Sequence, residues 1–150
     1  MQPIETRWRD RVYRSRTEAR WAVALTLSRV PFEYEAEGFA LPSGWYLPDF
    51  WLTQQRLWLE IKGLDPNERE RSLAIELEAA TGCRVLFGIG SPAPSSDWQN
   101  VLYFAPDGAF EERLECVTPE ARGRALAERF DGKPPMAPAG SSNWKPPRWW

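Results

Sequence analysis

The alternation of apolar and polar residues along the chain predicts one helix followed by three strands. The helix covers 15–30, because Ser15 is a typical N-cap residue and Pro31 would end the Ala-, Leu- and Trp-rich stretch between them. Apolar and acidic residues then alternate over 32–39, as in a half-exposed strand. The next two apolar runs predict strands over 45–52 and 57–62.

The pattern after residue 64 predicts a second helix and a buried strand. Asp65 has the position of an N-cap, Pro66 that of the first helical residue and Glu68 that of a capping-box glutamate, and Gly82 would end the helix. Residues 84–90 are continuously apolar, as in a strand that is covered on both faces. This order of elements predicts an α/β fold with a mixed sheet and helices packed on it.

The C-terminal part of the chain predicts a loop, a hairpin, a helix and a tail. The loop covers 91–100, the hairpin pairs 101–105 with 109–117, and a Thr-Pro helix start opens 118–130. Pro, Gly, Ala and Ser dominate from residue 131, so we expect a folded domain over 1–130 and a disordered tail over 131–150. Three tail tryptophans would stack on unpaired bases, dock into a partner protein or fold back onto the domain: Trp144, Trp149 and Trp150.

The composition excludes several kinds of site. The 150 residues include no histidine, which excludes Ser-His and Cys-His nucleophiles and His-ligated zinc. Cys83 and Cys116 lack metal-ligand spacing, so we expect reduced thiols. No apolar run has the length of a membrane span and the N-terminus has no secretory h-region, which predicts a soluble, cytoplasmic protein without a membrane partner.

The two central strands bring acidic residues opposite each other. If 45–52 and 57–62 pair as a symmetric antiparallel hairpin, Asp49 faces Glu60. Carboxylates about 5 Å apart repel each other and raise each other's pKa, so a cation between them would stabilise the pair. Mg²⁺ meets this need because it prefers carboxylate and water oxygens. Lys62 shares the strand face of Glu60, where it would orient or deprotonate a water or stabilise charge that develops on a phosphate.

A third acid and several arginines belong to the first helix. Glu18 precedes three apolar residues at helical spacing, which places it on the stripe that faces the sheet. Since Ser15-x-x-Glu18 is also a capping box, the alternative is that Glu18 only caps the helix. Arg14, Arg16 and Arg20 flank Glu18; they would bind DNA phosphates beside the metal or form a solvated charged face.

Together these residues resemble the PD-(D/E)XK nuclease superfamily, through Pro48-Asp49 and Glu60-Ile61-Lys62. From Arg14 to Gly63 the order of an RSxxE helix, an FEYE strand, a PDF strand and an ExKG strand is most similar to the phage-type endonuclease I branch, whose members resolve four-way DNA junctions. The resemblance implies a restriction-endonuclease-like three-layer core with the order α-β-β-β-α-β. It also implies a site with Lys62 assisting the attacking water and with these ligands for Mg²⁺, or Mn²⁺ in its place: Asp49, Glu60, the Ile61 backbone carbonyl and Glu18.

The function that the resemblance implies is Mg²⁺-dependent cleavage of branched or duplex DNA in recombination, repair or replication. Four-way junctions are the most specific substrate, and paired nicks would need a homodimer. The net charge of −2 argues against a uniformly basic nucleic-acid binder, so DNA contacts would be local. Two alternatives stay open: an RNA-directed nuclease, and a non-catalytic module that keeps the fold and recruits a protein partner through the tail over 144–150.

Overall fold

The computed structural model describes residues 3–92, 101–105 and 110–112, with 118, 120–121 and 124–125. Neither helix traced in full over these ranges is long and apolar enough to cross a membrane. The elements are β1 (Thr6–Trp8), β2 (Arg11–Tyr13), α1 (Arg16–Leu27), β3 (Phe32–Tyr34), β4 (Phe39–Leu41), β5 (Gly44–Tyr46), β6 (Phe50–Leu52), β7 (Leu57–Lys62), α2 (Glu68–Thr81), β8 (Val85–Ile89), β9 (Val101–Phe104) and β10 (Phe110–Glu112).

Six strands form the central sheet in the order β10-β9-β8-β7-β6-β3. β7 and β8 are parallel and connected through α2, whereas the other neighbouring pairs are antiparallel. Successive side chains of β7 point to opposite faces of the sheet. Leu59 and Ile61 pack in the core beneath α1, and Trp58 packs in the core beneath α2. The predicted α/β class with a mixed sheet and helices packed against it is therefore confirmed.

The predicted hairpin register is confirmed over the ladder between β6 and β7. Leu52 lies opposite Leu57 and Phe50 lies opposite Leu59. The terminal hairpin is confirmed over the described residues, because β10 pairs antiparallel with β9. The rest of 109–117, most of the predicted loop at 91–100 and of the helix at 118–130, and the whole tail at 131–150 lie outside the described residues.

Two predicted strands are wrong in extent. The strand over 32–39 ends at Tyr34, because Glu35 adopts a left-handed conformation with a φ of 49°. The strand over 45–52 divides into β5 and β6, with 47–49 outside both ladders. Its first part pairs with β4 in a separate hairpin, and Phe39 of that hairpin packs edge-on against Trp58 with ring centroids 5.4 Å apart. The hairpin of β4 and β5 is thus an insertion in the chain between β3 and β6, which pair with each other.

The ends of both helices also differ in detail from the prediction. Ser15 is the N-cap of α1 as predicted, and α1 ends at Leu27 instead of residue 30. The N-cap of α2 is Asn67 rather than Asp65, because Asn67 and Glu70 exchange the two hydrogen bonds of a capping box. Gly82 ends α2 in a left-handed conformation, as predicted. Cys83 carries a free thiol, while Cys116 lies outside the described residues.

Close contact between Trp21 and β8 holds α1 on the sheet. The indole Nε1 of Trp21 donates a hydrogen bond to the Gly90 carbonyl at 2.7 Å. A Cβ added to Gly88 would lie 2.9 Å from the Trp21 ring and 3.0 Å from the Ile61 side chain, so the ring occupies space that only glycine leaves open. Because Glu18 lies one turn before Trp21, this contact also sets the position of the Glu18 carboxylate.

We expect Gly88→Ala to destabilise the protein by about 1–3 kcal/mol, since the added methyl group must displace a rigid indole. Gly63→Ala is the matched control, because a Cβ there meets nothing within 4 Å. Urea denaturation of the purified variants measures both effects. Equal midpoints for Gly88→Ala and the wild type would show that α1 is not held by this contact.

Candidate metal centre

Asp49 and Glu60 extend the β6–β7 ladder through their side chains. The backbone N–H of Asp49 donates to Glu60 Oε2 at 3.0 Å, and the backbone N–H of Ile61 donates to Asp49 Oδ2 at 2.7 Å. Each carboxylate therefore bonds to the opposite strand, just beyond the last ladder pair. Both residues are buried, with exposed fractions of 9% and 7%. The two predicted acids lie beside each other at the end of this ladder.

Glu18 reaches the same place from the first turn of α1. Its backbone N–H donates to Ser15 Oγ at 3.1 Å, so Ser15 caps the helix. The Glu18 carboxylate accepts a hydrogen bond from the Tyr34 hydroxyl at 2.7 Å and comes close enough to Asp49 to hydrogen-bond to its carboxyl group. With an exposed fraction of 6%, it is buried as the helical spacing predicted. Glu18 therefore belongs to the acidic site as well as to the capped first turn.

Glu35 is a fourth acid that the sequence pattern did not single out. Carboxylate oxygens of Glu18, Glu35 and Asp49 all lie within 4.8 Å of one another. The left-handed conformation of Glu35, unusual for a residue with a Cβ, ends β3 there, and the Glu35 N–H donates to the Asp49 carbonyl at 2.8 Å. Strained backbone of this kind is enriched at functional sites. A continuous strand would instead have left Glu35 as one of several exposed acids.

Lys62 lies between two glutamates. Its ammonium is 3.5 Å from Glu60 Oε1 and 3.0 Å from Glu70 Oε1. The other oxygen of Glu70 accepts the Asn67 N–H that closes the capping box of α2. Glu70 thus links the start of α2 to Lys62, and it is a second site residue that the sequence analysis missed. Placing the N-cap at Asn67 would have identified it, because Glu70 is then the capping-box position.

Tyr46 contributes a buried hydroxyl to the same face. The residue is 7% exposed, and its hydroxyl makes no hydrogen bond of ordinary geometry to the described residues. It nevertheless faces the acids closely enough that Glu60 and Asp49, in addition to burial, raise its pKa. The Tyr46 hydroxyl therefore belongs to the surroundings of the Glu60 carboxylate.

The predicted DNA-binding arginines divide into two groups. Arg14 forms an ion pair with Glu35, Nε to Oε1 at 2.5 Å, and so borders the acidic cluster. Arg16 and Arg20 lie two positions to either side of Glu18, which turns them roughly 200° from it around α1. Burial and the neighbouring Arg16 lower the pKa of Arg20, as expected for guanidinium groups one turn apart. Arg16 and Arg20 therefore lie on another side of α1 from the carboxylate of Glu18.

The acids of the site repel each other. Burial first, and then the charges of Glu60 and Glu18, raise the pKa of Asp49 well above its usual range. Burial raises the pKa of Glu60 to about 7, although Lys62 and the hydrogen bond from Asp49 oppose the shift. Protons or a cation must relieve this repulsion.

The oxygen donors fit Mg²⁺ or Mn²⁺. Three carboxylates meet closely, and hard oxygen ligands are what these ions prefer. The arrangement differs from the expected ligand set, since Glu35 joins Glu18 and Asp49 while Glu60 lies on the Lys62 side, bonded to the Asp49 backbone. Ile61 was expected to bind the metal through its backbone carbonyl. In the structure, its backbone N–H donates a hydrogen bond to Asp49 Oδ2.

Comparisons with protein-family models, curated proteins and solved structures find no match to this chain. The residues of the site itself must therefore carry the functional interpretation.

We expect the metal-free protein to lose stability as the pH rises from about 4.5 through about 7. Folding raises the carboxyl pKa of Glu60 to about 7 and that of Asp49 well above its usual range, so stabilising protons are lost as the pH rises. Added Mg²⁺ should raise the melting temperature more at pH 8 than at pH 5, because it replaces those protons.

Differential scanning fluorimetry in EDTA and in Mg²⁺ measures this dependence. Asp49→Asn should flatten the pH dependence and abolish the Mg²⁺ effect, whereas Glu33→Gln, a change of an exposed acid in β3, should leave both unchanged. A wild-type melting temperature that is constant between pH 5 and 8 in EDTA would contradict the buried repulsion.

Proposed function

We propose that this chain is a Mg²⁺-dependent DNA endonuclease built on a restriction-endonuclease-like core. The observation that carries the proposal is the buried pair of Asp49, which directly precedes β6, and Glu60 of β7, beside Lys62. Its support from the sequence is the resemblance to the PD-(D/E)XK order, into which Glu18 of α1 also fits. Burying several carboxylates together is costly unless they bind a cation. This cost favours a site that still binds metal over one that has lost its function.

The acids would hold the metal ion. Asp49, Glu18 and Glu35 meet within one cluster and are the proposed ligands, with Glu60 next to them. When bound, Mg²⁺ supplies positive charge to the phosphodiester oxygens and lowers the pKa of a coordinated water. Tyr34 orients Glu18 through its hydroxyl, and Arg14 orients Glu35 through its guanidinium.

Lys62 acts in this proposal as a cation and not as a base. Burial lowers its pKa, but Glu60 and Glu70 outweigh burial and raise the pKa above its usual value. The ammonium therefore stays protonated at neutral pH, where it can donate hydrogen bonds to the water or to an oxygen of the scissile phosphate and stabilise the charge that develops there. Glu70 fixes the position of this ammonium from the start of α2.

Branched DNA, and four-way junctions in particular, is the proposed substrate class, with a homodimer making paired nicks. This part of the proposal rests on the resemblance of residues 14–63. The site itself requires only a phosphodiester, so an RNA substrate is distinguished by the assay below. A non-catalytic module would bind DNA without turnover.

We expect the purified protein to nick plasmid DNA and to cut four-way junctions in Mg²⁺ but not in EDTA. Asp49→Asn and Lys62→Ala should each reduce the rate by about 100-fold or more. Glu70→Gln should reduce it by about 10- to 100-fold, because the amide can still cap α2 but no longer attracts Lys62.

Glu68→Gln is the matched control, since Glu68 is an exposed acid in the same helical turn. Duplex DNA, single-stranded DNA and RNA complete the substrate panel, and circular dichroism verifies that the variants are folded. Activity that survives both Asp49→Asn and Lys62→Ala would exclude this mechanism. Binding of DNA and Mg²⁺ without cleavage of any substrate would favour the non-catalytic module.

A further inference from the structure

A cavity of about 190 Å³ lies between the β1–β2 hairpin, the last turn of α1 and the start of β3. Two exposed arginines at the tip of the hairpin line it, Arg9 and Arg11. Asp10, between them, is the one acid among the described residues that line the cavity. Drug-sized ligands need cavities of about 300 Å³ or more, so this one suits a small anionic group such as a phosphate.

The packing of the hairpin holds both arginines at the cavity. Its inner face is buried through Trp8 and Tyr13. The Arg9 guanidinium lies over the Trp8 ring, 4.5 Å from its centroid. Arg11 pairs with Trp8 across the hairpin. Burial raises the pKa of Tyr13 and the charge of Arg11 opposes this shift, so the guanidinium comes near the Tyr13 hydroxyl.

Arg9 occupies a turn position that suits other residues better. Trp8 pairs with Arg11, so Arg9 and Asp10 form a two-residue turn. The φ of Arg9 is 55°, in the left-handed region where such turns usually have Asn, Asp or Gly. The turn alone therefore does not favour an arginine, and a substitution at residue 9 can separate the stability of the hairpin from binding.

The cavity lies at one end of α1 and β3, and the acidic site lies at the other end of both. Along α1, Thr26 at the cavity is eight residues from Glu18, or about 12 Å. Along β3 and the residue after it, Phe32 at the cavity is three residues from Glu35, or about 10 Å. Two elements thus place the cavity about 10–12 Å from the acids.

We propose that Arg9 and Arg11 bind a backbone phosphate of the DNA substrate, about three to four nucleotides from the scissile phosphate. This inference rests on the proposed function and deepens it, because it assigns the cleaved DNA a second contact. The spacing follows from about 3.4 Å per nucleotide along a strand. In a chain with a net charge of −2, two guanidinium groups against one carboxylate make the cavity locally cationic and complementary to phosphate.

The test compares DNA binding by the wild type and by the double variant Arg9→Asn, Arg11→Gln. Fluorescence anisotropy in Ca²⁺ gives the affinity for a labelled duplex between about 50 and 200 mM salt. We expect the double variant to bind roughly 10-fold more weakly and the slope of log Kd against log salt to fall by about one. Arg84→Gln is the matched control, because Arg84 is exposed, lies over the Tyr103 ring and does not line the cavity.

Three single variants separate binding from folding. Arg9→Asn should weaken DNA binding without lowering the melting temperature by more than about 4 °C, because Asn accepts the left-handed turn. Arg11→Lys should retain most of the salt dependence, because it keeps the charge. Asp10→Asn should strengthen binding, because it removes a charge that repels phosphate.

Neutral methylphosphonate linkages locate the contact on the DNA. The cut is first mapped in Mg²⁺, and one linkage at a time is then made neutral on either side of it. The wild type should lose affinity when the linkage lies about three to four nucleotides from the cut. The double variant should be insensitive at that position, since it no longer makes the contact.

Three outcomes would overturn the phosphate site. The double variant could bind as tightly as the wild type, as expected for a solvated charged face or a contact with an acidic protein. It could lose no more affinity than Arg84→Gln, or both proteins could respond equally to every neutral linkage. Mg²⁺-dependent cleavage with any of these results would leave the proposed nuclease intact and remove only the phosphate site. Selective loss of affinity in a protein that cleaves nothing would retain the phosphate contact and remove the nuclease.

Discussion

The crossed hydrogen bonds between Asp49 and Glu60 are the constraint on which the site depends. They occur where β6 and β7 stop pairing through their backbones, so the two carboxylates satisfy the N–H groups of Asp49 and Ile61 that the ladder leaves without partners. These hydrogen bonds hold both carboxylates in a buried environment, where their negative charges repel each other. The same bonds that complete the sheet therefore create the need for a proton or a cation.

The surrounding elements are arranged around this pair. Tyr34 of β3 holds Glu18 of α1, and Arg14, just after β2, holds Glu35. On the other side Glu70 of α2 holds Lys62, which in turn pairs with Glu60. Each acid or amine is thus positioned by a neighbour from a different element. Such preorganisation would serve the proposed hydrolysis of a phosphodiester, because the charge that develops must meet fixed partners.

Sequence reasoning was accurate where local rules decide the structure. A symmetric hairpin fixed the register that places Asp49 beside Glu60, and helical spacing placed Glu18 on the buried stripe. It failed where tertiary contacts decide. The left-handed Glu35 has no local signal, because glutamate rarely adopts that conformation. The hairpin that splits 45–52 is stabilised by packing on Trp58 and by the bonds of Ser43 to α2, which periodicity does not register.

The central claim is that Glu18, Glu35 and Asp49 converge to bind a divalent cation, and a Mn²⁺ titration tests it most directly. Isothermal titration calorimetry at pH 7.5 on the wild type, Glu35→Gln and Glu33→Gln compares two glutamates of the same FEYE segment. If the three carboxylates hold the ion, Glu35→Gln should weaken Mn²⁺ binding by about 10-fold or more while Glu33→Gln binds as the wild type does. Equal affinities for all three proteins, or no saturable binding by the wild type, would contradict the claim.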